Sequence, residues 1–234
     1  MSDVQRRIAE NLAQVRGLIS ASARRSGRTA EAITLVAVTK SAPASWAAAL
    51  VAEGCACLGE GRPQELWSKF AEMANPAIRW HLIGHLQRNK IRRTLPLLSC
   101  VQSVDSERLL TALDDEAAML ARRLDVLLEV KISVDTAKTG LSPELLEPLL
   151  NKAATLRHLS VHGLMCMASL TGGPSTARRD FAQLRKLRDR LVDHCPPEVA
   201  LGELSMGMSG DFEIAIEEGA TIVRVGSALF EGVG

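Results

Sequence analysis

The chain of 234 residues contains no tyrosine. A mechanism that needs a phenol as acid or base is therefore excluded within this polypeptide. Charge of one sign is also lacking: 28 Lys and Arg stand against 27 Asp and Glu. That balance gives no global argument for nucleic acid or an anionic membrane surface as a partner. Long apolar runs are missing, since stretches such as Trp46 to Ala52 end at a charge well short of a membrane span. The first residues (Ser2, Asp3, Gln5, Arg6, Arg7) are polar and charged and form no secretory apolar segment. The five cysteines are odd in number and scattered. They fit reduced thiols and a cytoplasmic setting better than a disulfide framework. Cys55 and Cys57 have the spacing of one strand face, which points to core packing and away from a zinc site. No Gly-x-Gly-x-x-Gly fingerprint follows the first strand-like run, which weakens an open doubly wound sheet as the alternative fold.

What is present is an alternation. Residues 3–26 read as an amphipathic helix, with Val4, Ile8, Leu12, Val15 and Ile19 at helical spacing and Gly27 beyond the end. Strand-like runs follow at Thr34–Thr39, Cys55–Gly59, Arg79–Ile83, Cys100–Val104, Val126–Ile132, Ser160–Met165, Leu201–Met206 and Ile222–Val225. Helical composition fills Ser45–Glu53, Gln64–Ala74, Ser106–Arg123, Pro143–Thr155, Thr176–Asp193 and Asp211–Glu218. Strands separated by crossovers imply a parallel sheet, and eight is the number that closes a barrel. The expected fold is α/β: a (β/α)8 TIM barrel with an additional N-terminal helix, as a single domain over residues 1–234.

The segment Leu204-Ser205-Met206-Gly207-Met208-Ser209-Gly210-Asp211-Phe212 joins a strand-like run to a helix-like stretch through small residues. Backbone N–H groups converging at a helix start suit an anion such as phosphate. An ordinary helix cap is the alternative reading of the same residues. A second small turn lies at Gly226-Ser227, so two neighbouring strand ends could offer loops to one anion. Arg224 lies mid-strand between Val223 and Val225. A guanidinium inside a barrel needs an acceptor, either an internal carboxylate or a bound ligand. Lys40 closes the first strand, where a barrel places its functional mouth. Partial burial of an amine in apolar walls disfavours the ammonium, as a Schiff-base lysine requires; a solvated strand-end lysine is the bland alternative. His81 and His85 are four apart but have no carboxylate or cysteine between them to complete a metal site. His85 is expected at the mouth and His81 inside the barrel. Lys138, near Asp135, is either a second amine close to the mouth or half of a surface ion pair.

Several motifs occur in order: Thr39-Lys40, Gly59-Glu60-Gly61, Trp80-His81-Leu82-Ile83-Gly84-His85-Leu86-Gln87-Arg88-Asn89-Lys90, Gly163-Leu164-Met165, Leu204-Ser205-Met206-Gly207-Met208-Ser209-Gly210-Asp211-Phe212 and Val223-Arg224-Val225-Gly226. Together they resemble the pyridoxal phosphate homeostasis protein family, relatives of the alanine racemase barrel domain, over nearly the whole chain. The resemblance implies a barrel that binds pyridoxal 5′-phosphate (PLP) and helps balance free vitamin B6. Carried over by motif, Lys40 forms the Schiff base and Arg224 faces the pyridine nitrogen. Ser205, Met206, Gly207, Ser209, Gly226 and Ser227 belong to the loops that hold the phosphate, with His85 at the mouth. Gly61 departs from the family, which usually has asparagine there, near the cofactor ring. The implied function is PLP carriage without efficient catalysis, in a cytoplasmic monomer that serves PLP-requiring enzymes. Two alternatives are a slow amino-acid racemase, with His85 in place of the missing tyrosine, and a barrel that has lost its cofactor.

Overall fold

The computed structural model describes residues 2–132, 139–169 and 171–233. Eight parallel strands close into a barrel in chain order: β1 (Thr34–Val38), β2 (Cys57–Glu60), β3 (Arg79–Leu82), β4 (Cys100–Val104), β5 (Leu124–Glu129), β6 (Leu159–Met165), β7 (Glu203–Ser205) and β8 (Ile222–Val225). Around them run α1 (Asp3–Arg25), α2 (Ala44–Ala52), α3 (Pro63–Met73), α4 (Ile91–Thr94), α5 (Glu107–Met119), α6 (Leu146–Ala153), α7 (Gly173–Val192) and α8 (Phe212–Glu217). The expected barrel with an added N-terminal helix is the fold observed.

Local chemistry accounts for the first helix. The Ser2 hydroxyl accepts from the Gln5 N–H while the Gln5 side chain accepts from the Ser2 N–H, so α1 begins with a reciprocal cap. Ile8, Leu12, Val15 and Ile19 are buried on one face of it. Each such burial is worth roughly 1.5–3 kcal/mol. Asn11, on the same helix, donates to the carbonyls of Leu229 (3.2 Å) and Glu231 (2.9 Å) and ties the C-terminal segment to α1. The core divides accordingly. Val36, Cys57, Cys100, Leu127, Met165 and Ile222 pack inside the barrel, and a larger apolar layer fills the space between strands and helices.

Three expectations need correction. Cys55 and Cys57 do not share a face: Cys55 joins the layer beneath the helices and Cys57 the barrel interior. Strand alternation begins only at Cys57, so the period of two does not reach back to Cys55. The fifth strand lies earlier than Val126–Ile132, because after Glu129 the pairing thins to a single bridge between Val130 and Leu141. The short helix α4, flanked by 3₁₀ turns at Arg88–Lys90 and Leu95–Leu97, was not expected. Four residues do not span enough turns to show an apolar period.

Gly163 marks a close approach between β6 and β7. A Cβ there would stand 1.9 Å from the Glu203 carbonyl oxygen on β7. Gly163→Ala should therefore cost about 2 kcal/mol or more, seen as an earlier urea midpoint with an unchanged slope.

Candidate functional site

Strand alternation decides which side chains reach the mouth. On β1, Val36 lies in the interior cluster, and Val38 and Lys40 follow it in phase; on β8, Ile222 is followed by Arg224 and Gly226. Ala37, Val223 and Val225 pack the other way, toward the helices. Past the strand C-termini these in-phase residues border a cavity of about 530 Å³, lined in part by Lys40, His85, Glu129, Ser209, Arg224 and Ser227. It is at the end of the barrel where such folds place their sites.

Lys40 is exposed at the rim, so the apolar burial expected around its amine is not what the structure shows. It follows Thr39 in a turn closed by the Ala42 N–H donating to the Thr39 carbonyl at 2.9 Å. His85 is also exposed, with Nδ1 3.2 Å from Asp105 Oδ2. Gly61 lines the same cavity. A Cβ added there would meet nothing nearer than Lys40 Cδ at 3.9 Å, so a side chain has room beside the amine.

Arg224 is 4% exposed. Its Nη1 donates to Ser205 Oγ at 2.7 Å and its Nη2 to the Cys166 carbonyl at 2.8 Å. Both acceptors are neutral, and among the described residues no carboxylate stands within ion-pair reach of the guanidinium. Burial lowers its pKa, while Cys166, Glu129 and Asp211 act in the opposite sense. The contacts beneath it form a directed chain. Ser205 Oγ donates to Gln102 Oε1 at 2.7 Å, and Gln102 Nε2 lies 2.8 Å from His81 Nδ1. Arginine cannot accept, so Ser205 accepts from it and must donate onward. Gln102 then donates to His81 Nδ1, which leaves the imidazole proton on Nε2. Burial, with help from the Arg79 charge, drives the His81 pKa down to about 4, which keeps the ring neutral.

The small-residue loops divide into a support and a lining. Ser205 and Met206 are fully buried below the cavity, and neither they nor Gly207 border it. Ser205, expected in a phosphate loop, is the seat of Arg224 instead. Gly207 has φ +92°, and a Cβ on it would sit 2.8 Å from Phe212 Cα. Its carbonyl accepts the Arg224 N–H at 3.0 Å. Ser209 does reach the cavity, where its Oγ accepts the N–H groups of Gly226 (3.1 Å) and Ala228 (3.4 Å). Those donors come from the loop after β8. In the loop before α8, Asp211 Oδ1 accepts the Met208 N–H at 2.6 Å and so braces the turn that leads into the helix. Arg28 fixes the other end of α8 by donating to the carbonyls of Ile216 and Ala220.

Glu129 was not singled out from the sequence. It is 4% exposed at the end of β5 and lines the cavity; Thr139 Oγ1 donates to its Oε1 at 2.9 Å. Burial raises its pKa, opposed by the Thr139 hydrogen bond and the Arg224 charge. Its signal in the sequence was phase: Glu129 follows the interior residue Leu127 by two. Lys138 and Asp135 lie outside the described residues. No three His, Cys, Asp or Glu side chains cluster as a metal site would require among those that are described.

This geometry can be set beside known proteins. The profile of the alanine racemase N-terminal domain matches residues 7–232. Proteins called pyridoxal phosphate homeostasis protein are 36% identical over 221 residues in Aquifex aeolicus and 37% over 226 in Escherichia coli K12. These spans cover 94% and 95% of this chain and 96% and 95% of the relatives. The chain belongs to the pyridoxal phosphate homeostasis protein family. PipY of Synechococcus elongatus, solved with PLP bound, has the same shape: TM-score 0.86 at 36% identity, covering 95% of this chain and 99% of that one. Alanine racemase from Corynebacterium glutamicum shares the fold alone, with TM-score 0.73 at 16% identity over 97% of this chain and 61% of its own.

The neutral His81 carries a pH consequence. Below its ordinary value of 6.5 the unfolded chain takes up a proton that the folded chain refuses until about 4. Stability is thus full above that ordinary value and falls as pH drops through the window, by on the order of 3 kcal/mol. Urea unfolding at pH 7 and pH 4.5 should show that loss in the wild type and a smaller one in His81→Gln.

Proposed function

We propose that this chain holds PLP at the mouth of its barrel and acts in vitamin B6 homeostasis as a carrier, without efficient catalysis. One observation supports the reading above all others: an amine (Lys40), a buried guanidinium without a carboxylate partner among the described residues (Arg224) and the small residues Ser209, Gly226 and Ser227 border a single cavity. Their chemistry fits an aldehyde, a ring nitrogen and a phosphate. PLP when bound supplies an aldehyde that condenses with a primary amine. Lys40 is the residue we assign to that bond. Ser209, Gly226 and Ser227 take the phosphate; Ser205, Met206 and Gly207 support them and Arg224 from below. Arg224 stays protonated and donates to the ring nitrogen, which leaves the ring a poorer electron sink than a carboxylate partner would. His85 stands at the opening.

The relatives' name and the chain's lack of tyrosine support the non-catalytic reading over a racemase, which needs a second proton-transfer group opposite the amine. His85, already beside Asp105 and open to solvent, is a poor substitute. The absence of any disulfide among the described residues, five cysteines notwithstanding, supports a cytoplasmic setting. No helix among the described residues is long and apolar enough to cross a membrane. The exposed large apolar residues Phe70, Met119, Leu120, Leu145 and Val192 are dispersed over several elements, which favours a monomer that meets PLP-requiring enzymes transiently.

The wild type should absorb as a protein-bound PLP Schiff base, and borohydride should fix the cofactor to the peptide containing Lys40. Lys40→Ala should lose the fixed cofactor; PLP fixed elsewhere, or never bound by the wild type, would overturn the assignment. Gly61→Asn should tighten PLP by about 1 kcal/mol, roughly fivefold, through one added hydrogen bond. Incubation with L-alanine should yield D-isomer far more slowly than about 1 per second; turnover at or above that rate would make the protein a racemase.

A further inference from the structure

Behind the cavity wall lies a charged pair that the proposed function leaves unused. Glu60 ends β2 and is fully buried; Lys69 on α3 is 4% exposed. Lys69 Nζ stands 2.6 Å from Glu60 Oε1 and donates to the Thr39 carbonyl at 2.5 Å. The Thr39 hydroxyl donates to the same Glu60 oxygen at 2.5 Å. Among the described residues Glu60 Oε2 has no hydrogen-bond partner. These groups sit on the helix side of the sheet, where α3 packs, while Lys40, one residue on, faces the cavity.

An ion pair in such a place is a poor device for stability. Desolvating both charges offsets most of their attraction, and apolar side chains of similar volume often serve as well or better. What this pair does that apolar residues could not is hold one peptide group. The Thr39 carbonyl takes two donors, Lys69 Nζ and the Ala42 N–H at 2.9 Å, and the Thr39 N–H donates to the Gly59 carbonyl at 3.0 Å. With the hydroxyl bound to Glu60, every polar group of Thr39 is committed. That carbonyl belongs to the peptide bond entering Lys40. We propose that Lys69 and Glu60 are positioning residues for Lys40: a buried ionic clamp that fixes the Thr39–Lys40 peptide and so aims the exposed amine at the aldehyde. The proposal rests on the PLP reading, and it makes no claim on the affinity for ring or phosphate.

The test separates covalent capture from reversible binding. Pyridoxine 5′-phosphate has the ring and the phosphate but no aldehyde, and so reports binding without Lys40 chemistry. The double variant Glu60→Gln/Lys69→Met removes both charges together and leaves an acceptor for Thr39. It should fold, bind pyridoxine 5′-phosphate within about twofold of wild type, and capture PLP about tenfold more slowly by stopped-flow absorbance, since small misplacements of a reacting group cost large factors in rate. Lys69→Arg, which keeps a donor, should recover much of that rate. Capture at the wild-type rate in the folded double variant would overturn the clamp, as would equal losses of capture and pyridoxine 5′-phosphate binding. Should the double variant fail to fold, Thr39→Val decides: removing only the hydroxyl should slow capture about threefold, consistent with loss of one hydrogen bond, and an unchanged rate would overturn the clamp. Wild-type protein that is never fixed by borohydride at Lys40 would remove the PLP reading itself, an outcome distinct from capture that is merely indifferent to Lys69.

Discussion

Arg224 brings a permanent charge into the barrel interior, and much of the surrounding polar structure follows from keeping that charge solvated by protein. Among the described residues the guanidinium has no carboxylate within ion-pair reach, so its burial is tolerable only if its donors find other acceptors. Ser205 and the Cys166 carbonyl provide two of them. Because arginine cannot accept, the direction of every later hydrogen bond is set, through Ser205 and Gln102 to a His81 that must remain neutral. A barrel filled only with Val, Leu and Ile could use any rotamer that packs. This one needs a single arrangement of four polar side chains.

The two ends of the cavity are made rigid by different means. At the loop after β7, Asp211 holds the Met208 N–H, Gly207 permits a backbone approach that any Cβ would block, and Ser209 gathers the donors that follow β8. At the amine end the lysine is exposed, and the peptide beneath it is held. That asymmetry suits a ligand that must be bound firmly by one end and joined or released at the other. The glycine at position 61 leaves the wall open on the side where the amine lies.

Much of this was legible before any coordinates. Interior and exterior residues on β1 and β8 follow directly from alternation, and so do the places of Lys40, Arg224 and His81. The outline of α1 follows from its apolar period. Errors arose where a local pattern outran the element that carries it. Cys55 precedes its strand, the alternation after Glu129 continues past the last ladder bonds, and α4 is too short to repeat. For Ser205 the motif gives the loop, while its place inside the barrel beside Arg224 decides that its hydroxyl meets the guanidinium and Gln102.

The sequence by itself determined the closed barrel, the family and which residues border the candidate cavity from β1 and β8, because periodicity and motif order depend on neighbours along the chain. Only the tertiary structure decided which polar groups are partners: Glu60 with Lys69 behind Lys40, Gln102 between Ser205 and His81, and Glu129 on the cavity wall. The physical reason is that a hydrogen bond or ion pair is set by distances of about 3 Å. The curvature of the barrel brings residues from different strands within that distance, and no spacing along the chain records it.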